Sequence, residues 1–223
     1  MNIEQLDRLF SAVSRKHPVK TFIVMGSLTV LGLVNQRKIP DDMIVSVEVD
    51  AYPESDPARA FEIAEDFGLG SDFEQEYGYY FDAVSPALPT FPDEWEQRLI
   101  SYMLPGGTCL KFVEPHDAAI AKYARGAPKD LQWIRAGIDA GILSIATLEY
   151  RFRETVFADD PERERVRAAI GGEVARRSAD PGPGDKRQTS ATAPAASRLD
   201  PPTLKRLRGG LPVTIIRRRR RTP

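Results

Sequence analysis

Apolar residues recur at spacings of three and four over residues 2–16, where Ile3, Leu6, Leu9, Phe10 and Val13 predict an amphipathic helix. His17-Pro18 ends it, because the residue before a proline is pushed out of the helical region. The run Thr21-Phe22-Ile23-Val24-Met25 is β-rich and nearly all apolar, the pattern of a buried strand. Gly26-Ser27 turns the chain, and Leu28 to Asn35 reads as a helix with Leu28, Leu31 and Val34 on one stripe and Ser27 as its N-cap. From Ile44 to Asp50 the alternation returns: Ser46, Glu48 and Asp50 fall on one face of a predicted strand and Val45, Val47 and Val49 on the other, with Pro53 as its stop. A helix follows over Ala58–Phe67, introduced by Asp56-Pro57 and closed by Gly68. Three strand-like runs come next, Tyr79–Ser85, Leu99–Leu104 and Cys109–Val113. Helical patterns follow over Ala118–Ala124 behind Glu114-Pro115, Lys129–Ala140, and Ile145–Phe157.

Composition limits the reading at both ends of the chain. With 223 residues, 42% hydrophobic and 28% charged, the sequence supports one good-sized core. The single cysteine, Cys109, excludes an internal disulfide, and no apolar run reaches the roughly 20 residues of a membrane span; a cytoplasmic protein with no membrane partner is expected. Charge is unevenly placed. Residues 1–150 hold 13 Lys+Arg against 23 Asp+Glu, whereas residues 151–223 hold 18 against 9. An acidic body, 1–157, is therefore expected to precede a charged helix at 158–177. A basic tail, 178–223, ends in the run Arg217 to Arg221, and its Pro/Ser/Ala/Thr/Gly content is too poor in large apolar residues to order it.

Four places carry candidate chemistry. Gly26-Ser27, between a strand and a helix-like run, lets backbone approach a ligand closely and adds a hydroxyl donor for a phosphate oxygen. The same dipeptide also serves plain turn geometry. Glu48 and Asp50 sit at i and i+2 of a strand, pointing the same way about 6–7 Å apart. Such a pair repels itself unless solvated or bridged by a hard cation such as Mg²⁺; the solvent face of an edge strand has the same pattern. Asp82, on the following strand, is the best third carboxylate, with a solvated turn as its alternative. Lys122 lies among small apolar residues, where its charge either reaches a triphosphate or snorkels to water. Asp130 caps the next helix or orients Lys122. His17 and His116 both adjoin prolines at element ends, and surface placement is expected for each. Two distant histidines and one cysteine give no support to a zinc site or a Cys/His nucleophile pair.

The order of these features, a Gly-Ser turn, a helix, a carboxylate-x-carboxylate strand and later Lys122 and Lys129-Asp130 helices, resembles the polymerase-beta-type nucleotidyltransferase superfamily. More narrowly, Pro115 to Leu131 (PHDAAIAKYARGAPKDL) resembles the minimal bacterial branch that includes AbiEii-like nucleotidyltransferase toxins. The resemblance covers Thr21 to Leu143. It implies an α/β (α+β) fold, a small mixed sheet flanked by helices. It implies that Gly26, Ser27 and Lys122 bind nucleotide phosphates, that Glu48 and Asp50 hold Mg²⁺, and that Asp130 is the acid following the helix lysine. The implied reaction moves a nucleoside monophosphate from an NTP to a hydroxyl of RNA, tRNA or protein, with Asp82 or Asp50 helping to take the acceptor's proton. A toxin–antitoxin or phage-defence setting, with an antitoxin as protein partner, follows from the same branch. Two positions depart from the pattern: Glu48 stands where aspartate is usual, and Trp133 stands where a second acid is expected. A catalytically silent relative that binds a partner, and a nucleic-acid-binding protein acting through its arginine run, are the rival readings.

Overall fold

In the computed structural model, which describes residues 1–179, the first helix α1 (Ile3–Lys16) starts at a capping box. Asn2 Oδ1 accepts from the Gln5 amide and Gln5 Oε1 from the Asn2 amide, both at 2.9 Å, so two otherwise orphaned N–H groups are satisfied reciprocally. Its buried stripe is Leu6, Leu9, Phe10 and Val13. Five strands form, all but β2 within the predicted runs: β1 (Thr21–Val24), β2 (Glu48–Pro53), β3 (Tyr80–Ala83), β4 (Ile100–Met103) and β5 (Cys109–Phe112). They form one mixed sheet in the order β3-β2-β1-β5-β4, with β1 antiparallel to β2 and parallel to β5, β2 parallel to β3, and β4 antiparallel to β5. The small mixed sheet flanked by helices is thus present.

Alternation along the strands separates two faces. Phe22, Val24, Val49, Ala51, Phe81, Leu110 and Phe112 are buried on one of them. There the Phe10 ring of α1 lies 4.7 Å from Phe22 and 6.3 Å from Phe81. The other face carries Glu48, Asp50 and, by register with β2, Asp82. Two short helices, α2 (Arg59–Phe67) and α3 (Asp72–Tyr77), link β2 to β3.

Two predicted elements differ from what forms. The strand expected from Ile44 begins at Glu48 and runs through Pro53, while Val45 and Val47 are 73% and 51% exposed. The reason lies in β1: its pairing with β2 covers Val24↔Ala51 to Phe22↔Pro53, and Gly26 then turns away, leaving residues before Glu48 without that neighbour. The stretch after Gly26 is a 3₁₀ segment, Gly26–Leu33, not an α-helix over Leu28–Asn35, and Ser27 does not cap it. Leu28 through Gly32 are all buried, so there is no single apolar stripe. Gly32 lies against Phe112, where an added Cβ would be 3.0 Å from the Phe112 Cβ.

The second half is helical: α4 (Pro115–Arg125), α5 (Pro128–Asp139), α6 (Ile145–Arg153) and α7 (Asp160–Ala179). α4 packs on the 3₁₀ segment and contacts α5, α6 and α7. In its first turn Asp117, fully buried, accepts from Arg98 at 2.8 and 3.2 Å and pairs with Arg151 of α6 at 2.9 Å. The histidines are not free surface groups as expected. His17 lies 2.8 Å from Asp66, and His116 bonds Glu114 through Nδ1 at 2.7 Å while its Nε2 accepts from the Ser144 amide at 2.9 Å, which ties the start of α4 to the start of α6. Among the described residues no helix is long and apolar enough to cross a membrane. The basic tail expected to be disordered, including Arg217 to Arg221, lies from residue 180 onward outside the described residues.

Candidate active site at the carboxylate end of the sheet

The site begins with a steric fact. Gly26 has φ +65°, and a Cβ placed on it would meet Asp50 Oδ2 at 1.8 Å. A left-handed backbone and a carboxylate in contact both demand glycine. The Met25 amide donates to Asp50 O at 2.8 Å, fastening the turn to β2. Asp50 and Asp82 are register partners on the parallel pair β2–β3, and Glu48 is two residues earlier on the same face. One carboxylate oxygen from each of Glu48, Asp50 and Asp82 lies within 4.8 Å of the others.

Two of these carboxylates, Asp50 and Asp82, hold a proton more tightly than an ordinary aspartate. Burial pushes Asp50 up to about 6, the charges of Asp82 and Glu48 add to it, and Lys122 and Arg125 oppose it. Burial, then Glu48, also raises Asp82. Hard oxygen donors of this kind suit a divalent cation such as Mg²⁺, and the donor set fits that ion. Glu48 is additionally 3.4 Å from Lys129 Nζ, an exposed pair.

Facing the acids is a cationic cluster. Lys122 is only 4% exposed and does not snorkel: Nζ donates to Ser27 Oγ at 3.0 Å and to Asp130 Oδ1 at 3.2 Å. Burial lowers its proton affinity, against the pull of Asp130. Asp130 forms no cap bond; it is fully buried and holds Arg125 in a bidentate pair, Nε to Oδ2 at 2.7 Å and Nη2 to Oδ1 at 2.6 Å. Burial alone would raise Asp130, but the bonds from Arg125 and Lys122 together hold it below the usual carboxylate range. All seven residues singled out from the sequence, Gly26, Ser27, Glu48, Asp50, Asp82, Lys122 and Asp130, therefore share one linked neighbourhood.

Two residues there were not singled out as site residues. Arg125 lies three positions after Lys122, hence on the same helix face, and its side chain is 57% exposed toward the site. An arginine at a helix end reads as a favourable charge on the dipole, which conceals it. Trp133, in place of a second acid, is buried; its Nε1 donates to Ser27 O and Met43 O, both at 3.1 Å, and Lys122 Nζ lies 4.9 Å from its ring centroid. Beside the cluster is a cavity of about 340 Å³. Gly26, Asp50, Thr90, Lys122, Arg125 and Glu162 line its polar part, and Leu88, Pro89, Phe91, Ala118 and Ala121 are among its apolar lining.

A family model described as "nucleotidyltransferase of unknown function" (DUF6036) matches residues 1–175, and the chain belongs to that family. The match supports the nucleotidyltransferase superfamily and does not distinguish the AbiEii-like branch. No curated protein and no solved structure matches the chain.

Proposed function

We propose that this member of the nucleotidyltransferase family transfers a nucleoside monophosphate from an NTP, in a Mg²⁺-dependent reaction, to a hydroxyl of RNA, tRNA or protein. The observation that carries the reading is the juxtaposition of the Glu48/Asp50/Asp82 cluster with the Gly26-Ser27 turn and Lys122. In the transfer, the acceptor oxygen attacks the α-phosphorus, the bond from that phosphorus to the bridging oxygen breaks, and pyrophosphate leaves.

Each residue has a part in that step. Glu48 and Asp50 would hold Mg²⁺, which supplies positive charge to the phosphate oxygens. The Gly26 backbone and the Ser27 hydroxyl bind phosphate oxygens. Lys122 brings a cation to the triphosphate, Asp130 keeps it aimed, and Arg125 adds a second charge at the rim of the same cavity. Asp82, the carboxylate of the cluster left over when Glu48 and Asp50 hold the ion, accepts the proton of the acceptor hydroxyl. The apolar part of the cavity suits the nucleobase.

A cytoplasmic toxin–antitoxin or phage-defence role with a protein partner belongs to this reading through the sequence resemblance of Pro115 to Leu131. The arginine run supports RNA as acceptor, since such segments bind phosphate backbones with strong salt dependence. Removing residues 180–223 is expected to weaken RNA binding at low salt; unchanged binding removes the RNA part. The central test is incubation with each labelled NTP, Mg²⁺ and total RNA or cell protein, comparing wild type with Asp50→Ala and Lys122→Ala. Label transfer by wild type that is lost in both variants supports the reading. Transfer that survives both substitutions sinks it.

A further inference from the structure

We infer that Trp133 is a positioning residue for the nucleotide site: its ring holds Lys122 and its N–H fixes the Gly26-Ser27 turn, so that both present themselves to a triphosphate. The inference rests on the proposed nucleotide site and adds to it a residue that makes no contact with the reacting atoms.

Three observations carry it. First, the single indole donor serves two backbone acceptors, Ser27 O and Met43 O at 3.1 Å each, and so joins α5 to the 3₁₀ segment Gly26–Leu33 and to the short 3₁₀ turn Asp41–Met43 before β2. Second, Lys122 Nζ sits over the indole ring while donating to Ser27 Oγ and Asp130 Oδ1. The ring face attracts a cation without bearing a net charge. Third, the charge balance depends on this. The groups facing Lys122 are Asp130 and Trp133 from α5, Arg125 from its own helix, Asp50 from β2 and the neutral Ser27. Lys122, Arg125 and Asp130 together carry one net positive charge. A carboxylate at position 133 would bring that to zero, and would leave Ser27 O and Met43 O without their donor. The indole keeps the cluster cationic, which favours a polyanionic ligand, and anchors the turn in the same stroke.

The test uses the full-length protein with Mg²⁺ and a non-hydrolysable NTP analogue, with affinity from calorimetry and folding from circular dichroism. Trp133→Phe keeps a ring and deletes the donor; Trp133→Leu deletes both. The expected result is an affinity loss of about tenfold for W133F, on the order of one lost hydrogen bond to buried acceptors, and a larger loss for W133L. In label transfer the KM for NTP should rise more than kcat falls. A residue of purely structural importance would lower the melting temperature and leave the affinity of the folded fraction unchanged. A second arm needs no nucleotide. The chain has two tryptophans, so Trp95→Phe leaves Trp133 as the only indole emitter, excited selectively on the red edge beyond tyrosine absorption. Adding Lys122→Met to that background should shift the Trp133 emission, because the charge over the ring is gone. Folded W133F binding the analogue as tightly as wild type, or identical emission from W95F and W95F/K122M, overturns the inference. If wild type binds no NTP, the nucleotide site fails, and the emission arm alone decides whether Trp133 holds Lys122.

Discussion

Asp50 and Asp117 are carboxylates withdrawn from water on two neighbouring parts of the molecule, and their surroundings have opposite sign. Asp117, in the first turn of α4, lies between Arg98 at 2.8 Å and Arg151 at 2.9 Å. Asp50, on β2, lies beside Glu48 and Asp82, and its closest fixed relation on the other side is a glycine. One cluster is compensated and joins the segment before β4 to α4 and α6. The other accumulates like charge that Lys122, Arg125 and the exposed Lys129 offset only in part. Breaking the first arrangement costs stability; the second itself costs stability and is retained where chemistry needs it. A cluster of like charge is thus a better guide to function than one of paired charge.

Removing each carboxylate should separate the two roles. Asp50→Ala is expected to lower nucleotidyl transfer by a factor on the order of 10³ or more, while the folded protein survives; rates measured at saturating NTP check it, and near-normal turnover breaks the contrast. Asp117→Ala should act on the fold, costing about 3–5 kcal/mol because two arginines lose their buried partner. Denaturant unfolding reads that cost directly.

A subtler effect follows from protonation. Asp50 has its folded-state value raised from 3.8 to about 6. Relative to an unperturbed aspartate its proton is held more tightly by the folded chain, so its contribution to stability is fully present below pH 3.8 and is lost as pH rises through about 6. Asp50→Asn should therefore stabilise the cation-free protein at pH 7.5 by about 2–3 kcal/mol, an advantage that shrinks toward pH 4. A pH-independent difference between the two melting curves counts against this account. Lys129→Ala should have the smallest effect: its exposed 3.4 Å pair with Glu48 is worth at most about 1 kcal/mol. Its stability by thermal melting should stay near wild type.

Much of this contrast is legible in the sequence, and the limits have physical causes. The spacing of Glu48 and Asp50 fixes their common face once they lie on a strand. Nothing in that spacing says that β3 runs parallel beside β2 and sets Asp82 opposite Asp50, because register depends on a partner distant in the chain. The valine alternation from Val45 suggested a strand starting at Ile44; Val45 and Val47 are exposed because β1 has already turned away at Gly26. The 3₁₀ winding of Gly26–Leu33 was hidden by an apolar run with no polar face to phase it. Trp133 read as a missing acid, since its use of Ser27 O and Met43 O exists only after α5 has packed on that segment.

The sheet order has a dynamic consequence. β3 is bonded to β2 on one side and, among the described residues, to no strand on the other. The third carboxylate thus rides on a four-residue edge strand, the kind of element that opens locally at a small fraction of the global unfolding free energy. An ion held by Glu48 and Asp50 of β2 would neutralise the like charge that Asp82 of β3 faces, and so favour the closed β2–β3 pair. Amide hydrogen exchange at Tyr80–Ala83 should slow when Mg²⁺ is added, while the central strand β1 keeps its rate.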